Sequence, residues 1–313
     1  MSKYKIMISD SLDQSARAIL DHKADVVDRA GISAEDILKE IGEYNALIVR
    51  GRTKVTKELL SAASELKVVG RAGVGVDNID LAAAKENGIK VVNSPTATSN
   101  AVAEHTIALM LALIRNVTLG DSGIKAGNWE KKALQGIELS GKTLGIIGMG
   151  RIGARVAEIA KIFNMQIIGY DPFLSDEIIS ERNAKPTEMD QLFEQSDLIS
   201  LHLPLTKDTE NLLNDTTFEK MKKGVRLICA ARGGIINENA LVNALNSGKV
   251  AGAALDVFEN EPPGLTDLVT HKNVVATPHI GAQTAEAQVR AAKDIAEEIL
   301  NALEDKPLRW QIV

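Results

Sequence analysis

The sequence predicts an α/β protein built from two doubly wound parallel sheets. Three observations carry this reading. Short apolar runs alternate with helical patterns through most of the chain, which is the signature of α/β layering. At 313 residues the chain is longer than one ordinary core usually fills, so two domains are expected. Aromatics are only 3% of residues, which leaves the cores to Ala, Val, Ile and Leu, the composition of strands covered by helices on both faces.

The elements follow in order. In the first part, strands are expected at residues 5–9, 46–50, 67–70 and 90–93, with helical patterns between them such as 33–41 and 80–87. A long helix follows at about 100–117, where Ala103, Ile107, Met110, Leu111 and Ile114 recur at helical spacing. Residues 120–140, with Gly123, Gly127 and Gly136, read as irregular. A second series then supplies strands at 143–147, 166–170, 198–202, 226–230, 251–255 and 274–276. Six strands with intervening helices complete a dinucleotide-binding unit. A last helix at about 282–303 carries the stripe Val289, Ala292, Ile295, Ala296, Ile299 and Leu303.

Composition excludes several classes. A formal net charge of -6 argues against a nucleic-acid surface. The single cysteine, Cys229, cannot form an internal disulfide, lies in an apolar strand and reads as packing, which fits a reducing, cytoplasmic setting. The N-terminus meets Asp10 and Asp13 early and lacks the apolar core of a signal peptide. The most apolar stretch, 106–114, is too short to span a bilayer. No histidine or acidic spacing suggests a metal site.

The most informative motif is Gly148-Met149-Gly150-Arg151-Ile152-Gly153, a G-x-G-x-x-G between an apolar strand and a helix whose inner face is Ile152, Val156, Ile159 and Ala160. Gly148 permits the tight turn, Gly150 lets the backbone approach a pyrophosphate, and Gly153 allows helix and strand to pack closely. The positive helix end meets the phosphate charge. The next strand ends at Asp171, in the window where a carboxylate binds the adenosine ribose hydroxyls and repels a 2′-phosphate; NAD is therefore expected over NADP. Without the glycines, Asp171 before Pro172 reads as a strand-end turn residue.

Three downstream segments each place a charged or titrating residue just beyond an apolar strand: Arg232 after Ala230-Ala231, Glu261 after Asp256, and His279 before Gly281-Ala282. Carboxyl ends of parallel strands are where doubly wound proteins bind ligands. Taken singly, each has a plainer reading: His279 after Pro278 as a turn histidine, Arg232 before two glycines as a turn cap, Glu261 before two prolines as a solvated loop acid. Their joint position downstream of the glycine motif favours the functional one. His202, in His202-Leu203-Pro204, is expected to line the cofactor groove, His105 to be a packed structural residue, and His22 and His271 to lie on the surface.

The sequence resembles the D-isomer-specific 2-hydroxyacid dehydrogenase family. The likeness runs over essentially the whole chain, through Arg50-Gly-Arg52, Gly70-Arg71-Ala-Gly73-Val74-Gly75-Val76-Asp77, Asn93-Ser94-Pro95 and Ala103-Glu104-His105-Thr106. The resemblance implies two Rossmann-like doubly wound domains: a central NAD-binding domain at 99–285 and a smaller flavodoxin-like substrate domain from 1–98 and 286–313. It implies a catalytic set in which His279 exchanges the hydroxyl proton, Glu261 orients that ring, and Arg232 grips the substrate carboxylate. Cofactor contacts are expected from Val74, Gly148, Gly150, Arg151, Ile152, Gly153, Asp171, His202, Leu203, Pro204, Ala230, Ala231, Arg232, Asp256, His279, Gly281 and Ala282. Leu203 stands where many relatives have a polar residue, so its contact should be apolar or main-chain. Substrate contacts are expected from Arg50, Arg71, Gly73, Val74, Gly75, Arg232 and His279, with the turn at 72–75 offering backbone N–H groups. The charge of Arg50, Arg52 and Arg71 suits a phosphorylated 2-hydroxy acid, 3-phosphoglycerate.

A homodimer through the long helix and 120–140 is also implied, with Lys131 and Lys132 either reaching the partner's phosphate site or forming a solvated basic loop. The longest relatives continue past the last helix into a serine-sensing regulatory domain; with the sequence ending at 309–313, none is expected here. Two alternatives stay open: a reductase for glyoxylate, hydroxypyruvate or another D-2-hydroxy acid, and a non-catalytic NAD-sensing binding module.

Overall fold

The computed structural model describes residues 4–313, which divide into two compact units, 4–98 with 282–313, and Ser99–Gly281. The chain crosses back at Ala282, four positions before the 286 expected from the family likeness.

In the first unit, short β-branched runs make five parallel strands: β1 (Tyr4–Ile8), β2 (Ala24–Asp28), β3 (Ala46–Val49), β4 (Val68–Arg71) and β5 (Lys90–Asn93). Their order is β2-β1-β3-β4-β5. Successive side chains of a strand face opposite ways, so each strand feeds two cores. Ile6, Ile8 and Ile48 pack with Ile295, Ile299 and Leu303 of the helix Ala285–Leu303, whereas Met7, Leu47 and Val49 pack with Leu59, Leu60 and Ile79. That last helix lies close on β4, where a Cβ on Gly70 would come within 2.8 Å of Ile295 and Ile299.

The second unit adds β6 (Thr143–Ile147), β7 (Gln166–Tyr170), β8 (Lys185–Pro186), β9 (Leu198–Leu201), β10 (Val225–Cys229), β11 (Val250–Leu255) and β12 (Val274–Ala276). All pair in parallel, in the order β12-β11-β10-β9-β6-β7-β8. The order reverses between β6 and β9, the switch point at which such sheets leave a crevice beyond their carboxyl ends. Ile147, Leu227 and Cys229 face one core; Ile146, Ile228 and Ala254 face the other, under the helices Ser99–Ile114 and Arg151–Ile162.

Four features depart from the expected elements. The edge strand β2 (Ala-Asp-Val-Val-Asp) was not expected: it is buried at alternate positions only, which mutes its apolar signal. The edge strand β8, also unforeseen, has two residues and holds Pro186, tolerated where no neighbour needs its N–H. The long helix stops at Ile114; Asn116 takes a left-handed φ of 53° and the chain turns by 64°. Beyond it, part of the stretch expected to be irregular is the helix Val117–Lys125, which buries none of its own residues. Among the described residues no single helix is long and apolar enough to cross a membrane.

Candidate active site

The site is best built from the glycine turn outward. Gly148 follows β6 with a φ of +94°, a left-handed conformation that glycine adopts freely. A Cβ there would lie 2.4 Å from the His202 carbonyl oxygen, so the turn is pressed against the end of β9. A Cβ on Gly153 would lie 2.1 Å from the Gly148 carbonyl oxygen, which is the close helix–strand approach read from the motif. Gly150 caps the helix Arg151–Ile162 with extended backbone and no side-chain cap, and a Cβ there would meet nothing within 4 Å. The open space lies at the glycine assigned to ligand approach, and the tight spaces lie at the two assigned to folding. Arg151 and Ile152 open that helix, whose first N–H groups have no intrahelical acceptor.

Asp171 stands beyond β7, partly buried. Its Oδ2 accepts from the Met149 amide at 2.9 Å and its Oδ1 from the Phe173 amide at 3.0 Å. The carboxylate is thus tied to the turn, and each oxygen keeps a lone pair for a ribose hydroxyl. His202 accepts or donates at Nε2 with Ser200 Oγ at 2.9 Å. The residue keeps some surface while its ring is surrounded by protein, and burial pulls its pKa from 6.5 to about 4. It is a neutral lining residue beside Leu203, whose Cδ2 would lie 3.0 Å from a Gly148 Cβ. These features fit a dinucleotide: a glycine at 150 that leaves open space a side chain would take, a helix N-terminus and a carboxylate at the end of the second strand.

The residues expected to handle the proton come from the far half of the sheet. His279 Nδ1 and Glu261 Oε2 are 2.7 Å apart, and both side chains are partly exposed. Glu261 Oε1 accepts from the Phe258 amide at 3.2 Å. Burial favours the neutral acid at Glu261, but the His279 hydrogen bond and charge, with the Phe258 amide, hold it below its ordinary value. An ionised Glu261 requires a proton on Nδ1 of His279, which leaves Nε2 for a ligand. His279 itself sits at a φ of 53°, with its amide donating to Thr277 O at 3.0 Å. Left-handed backbone costs a non-glycine residue roughly 1–2 kcal/mol, so the loop must be held by its surroundings.

Arg232 follows β10 and Ala230-Ala231, its Nη1 donating to Ala231 O at 2.6 Å. The next residue, Gly233, has no room for a side chain, since a Cβ would overlap Phe258 O at 1.8 Å. The Arg232 turn is therefore packed on the segment that leads to Glu261, and the three expected catalytic residues lie beyond neighbouring strands. Asp256, expected to touch cofactor, has another task. It is 1% exposed, and its oxygens accept from Thr277 Oγ1 (2.6 Å), Ile280 N (2.9 Å) and Gly281 N (2.8 Å). Burial raises its pKa, but hydrogen bonds from His105, Thr277, Ile280 and Gly281 bring it below the ordinary value. Asp256 thus staples the loop that carries His279.

In the first unit, Arg50 follows β3 and Arg71 ends β4, with Arg71 Nε donating to Arg50 O at 3.0 Å. Burial lowers the Arg50 pKa, against the charge of Asp10. Asp10 is 4% exposed and organises the 50–53 turn by accepting from the amides of Arg50 (2.7 Å) and Thr53 (3.2 Å). Arg52 is exposed, but its Nη2 donates to Ser9 O and Ile32 O and its Nε lies 3.4 Å from Asp10 Oδ1, so part of its guanidinium serves the fold. Gly73 has a φ of +145°, and a Cβ there would strike the Arg71 guanidinium at 1.7 Å. Its N–H, expected to face a ligand, instead donates to Ser94 Oγ at 3.0 Å and Arg71 O at 2.9 Å. Gly73 shapes the turn. Asn93 Nδ2 donates to Val74 O at 2.6 Å. The bracing roles of Asn93, Ser94 and Thr277 carry no local motif; the Asn93-Ser94-Pro95 likeness marks the place without stating the task.

Comparison with known proteins agrees with this geometry. Residues 107–281 match the family described as D-isomer specific 2-hydroxyacid dehydrogenase, NAD binding domain. The chain is 46% identical over 305 residues to the D-3-phosphoglycerate dehydrogenase of Synechocystis, covering 97% of this chain and 55% of that protein. It spans little more than half the length of the relatives of that name. Among solved structures, a glyoxylate reductase from Paecilomyes thermophila superposes with a TM-score of 0.92 at 32% identity, covering 100% and 99% of the two chains. The D-lactate dehydrogenase from Aquifex aeolicus, complexed with NAD and lactic acid, gives 0.86 at 31% identity over 96% of each. The chain belongs to the D-isomer specific 2-hydroxyacid dehydrogenase family, with an NAD-binding Rossmann domain in its second unit.

Proposed function

We propose that the chain catalyses NAD-dependent oxidation of D-3-phosphoglycerate to 3-phosphohydroxypyruvate, the first step of L-serine biosynthesis. The observation that carries the proposal is the His279–Glu261 pair at 2.7 Å, set beyond the strand ends of a sheet with an open glycine cradle. In the oxidation direction, Nε2 of His279 accepts the proton of the substrate's 2-hydroxyl. Glu261, ionised, keeps the other ring proton in place and stabilises the imidazolium that results. Arg232 offers a planar two-pronged cation to the substrate carboxylate and to the oxygen that becomes a carbonyl. Asp171, Gly148, Gly150 and the helix start at Arg151 hold the dinucleotide, which when bound supplies the hydride-accepting ring. Asp256 acts by holding the 277–281 loop.

The phosphorylated substrate is supported by two features: the 46% identity to D-3-phosphoglycerate dehydrogenases and the arginines of the first unit, Arg50 and Arg71. Arg52 is left out of this assignment because its Nη2 donates to Ser9 O and Ile32 O and its Nε pairs with Asp10. A homodimer is favoured by the helix Val117–Lys125 and its following loop, which expose Val117 (54%), Ile124 (56%) and Trp129 (83%). Sedimentation at micromolar concentration reads that state, and a monomer there contradicts it.

The substrate test is a panel of D-2-hydroxy acids, with NADH absorbance as readout and the keto product trapped. Arg50→Ala and Arg71→Ala should raise KM for 3-phosphoglycerate about ten- to hundredfold more than for unphosphorylated substrates. Equal losses on both would assign the chain to unphosphorylated acids such as hydroxypyruvate or glyoxylate.

A further inference from the structure

Asp256 is a buried carboxylate, and a buried carboxylate is stable only when its lone pairs are met. Three of its partners belong to the 277–281 loop. The fourth comes from elsewhere in the second unit: His105, on the helix Ser99–Ile114, places Nε2 3.3 Å from Asp256 Oδ1 and 3.1 Å from Thr277 Oγ1. The chemistry fixes the proton. Thr277 gives its hydroxyl hydrogen to Asp256 at 2.6 Å, so Thr277 Oγ1 faces His105 with lone pairs, as does the ionised carboxylate. Two acceptors face one ring nitrogen, so Nε2 carries hydrogen and His105 is the donor to both.

We propose that His105 is a positioning residue for His279, acting through Asp256 and Thr277. Its helix packs on β10, β11 and β12, so the donor is mounted on the rigid layer beneath the loop. The same corner is closed by Gly281: a Cβ there would lie 3.1 Å from Asp256 Oδ2 and 3.7 Å from His105 Cδ2. His279, left-handed at 53° and joined to the loop by one backbone bond to Thr277, depends on these anchors at both sides. Loss of the His105 donor removes the one anchor of the Asp256–Thr277 pair that comes from outside the loop, leaving Asp256 Oδ1 with Thr277 and Ile280 alone and Thr277 Oγ1 without its second partner. A displacement of the order of 1 Å at a reacting group costs about a hundredfold in rate.

The inference rests on the proposed dehydrogenase reading, and its test separates the two. His105→Leu removes the donor. His105→Gln restores an N–H near the Nε2 position. His105→Asn, whose amide stops short at the Nδ1 position, is the second donor-deleting variant should the Leu form not fold. Each is made in the wild-type and His279→Ala backgrounds. Amide hydrogen exchange of the peptide covering 277–281 is read first, since it needs no turnover. It should quicken about tenfold or more in His105→Leu and return toward wild type in His105→Gln. Where wild type turns over, kcat in His105→Leu should fall about ten- to hundredfold while NAD affinity stays within about threefold, and His105→Gln should recover most of it. In the His279→Ala background the same change should cost little more. Unchanged exchange at 277–281, unchanged kcat, or an equal loss in both backgrounds overturns the proposal. A wild-type protein idle on every D-2-hydroxy acid would refute the dehydrogenase reading, and exchange alone would then decide whether His105 holds the loop.

Discussion

Replacing Gly150 by Ala separates what the glycine turn does for folding from what it does for binding. A methyl at 150 meets nothing within 4 Å, and the backbone there, φ -66° and ψ -162°, suits any L-residue. Ala lowers the entropy of the unfolded chain, worth about 0.4–1 kcal/mol, and is a poorer N-cap by a similar amount. The two offset, so the unfolding free energy should change by less than about 1 kcal/mol. The added methyl fills the space kept for the pyrophosphate, and overpacking of this kind costs roughly 1–3 kcal/mol. That corresponds to NAD binding about 5- to 150-fold weaker. Gly153→Ala should behave oppositely in the apo protein, because its Cβ would lie 2.1 Å from Gly148 O. A strain of about 1–3 kcal/mol in the Ser99–Gly281 unit lowers Tm by roughly 2–4 °C per kcal/mol. Thermal melts of both variants beside NADH fluorescence titrations make the comparison. A Gly150→Ala protein that binds NADH like wild type would refute the placement of the pyrophosphate on this turn.

Two further outcomes follow from the same side of the sheet. Asp171→Ala should reduce the preference for NAD over NADP about tenfold or more, since it removes the carboxylate that repels a 2′-phosphate; unmoved selectivity in paired titrations would mean the ribose contact is misassigned. His202 gives a pH dependence. Its pKa is depressed by burial from 6.5 to about 4, so between those values the unfolded chain binds more protons than the folded one. The contribution is present above pH 6.5 and is lost as pH falls toward 4, amounting to up to about 3 kcal/mol at about 1.36 kcal/mol per pH unit. Denaturant midpoints of wild type should therefore fall relative to His202→Gln as the buffer is taken from pH 7.5 to about 4.5; parallel curves contradict the buried neutral ring.

How much of this was legible in the sequence depends on whether each requirement is local. The turn at Gly148, Gly150 and Gly153 could be read from its spacing, because Gly153 answers to Gly148 five residues away; that Gly148 is also pressed on His202, beyond a different strand, could not. Arg232, Glu261 and His279 could be read only as strand-end residues. Their association depends on adjacent strands β10, β11 and β12, and the 2.7 Å pairing of His279 with Glu261 depends on loop conformation. Gly73 was given a ligand-facing amide; where that N–H goes is decided by Ser94, beyond a different strand. Asp256 was given cofactor contact, and its partners Thr277, Ile280 and Gly281 lie beyond the next strand. In the fold, the misses fall where sequence signals weaken. The edge strand β2 is half polar, the edge strand β8 has two residues, and the helix Val117–Lys125 contains Gly120 and Gly123 and buries nothing. Its apolar residues face outward, so no internal packing pattern marks it.

The central claim is that the imidazole of His279, held by Glu261, carries the proton whose transfer accompanies hydride transfer. Its direct test is NADH production from 3-phosphoglycerate by wild type and His279→Ala, with NAD saturating and the keto product removed. The account predicts turnover in wild type and a kcat about a hundred- to ten-thousandfold lower in His279→Ala, with NAD affinity unchanged within a few-fold. Turnover of His279→Ala at the wild-type rate would contradict it.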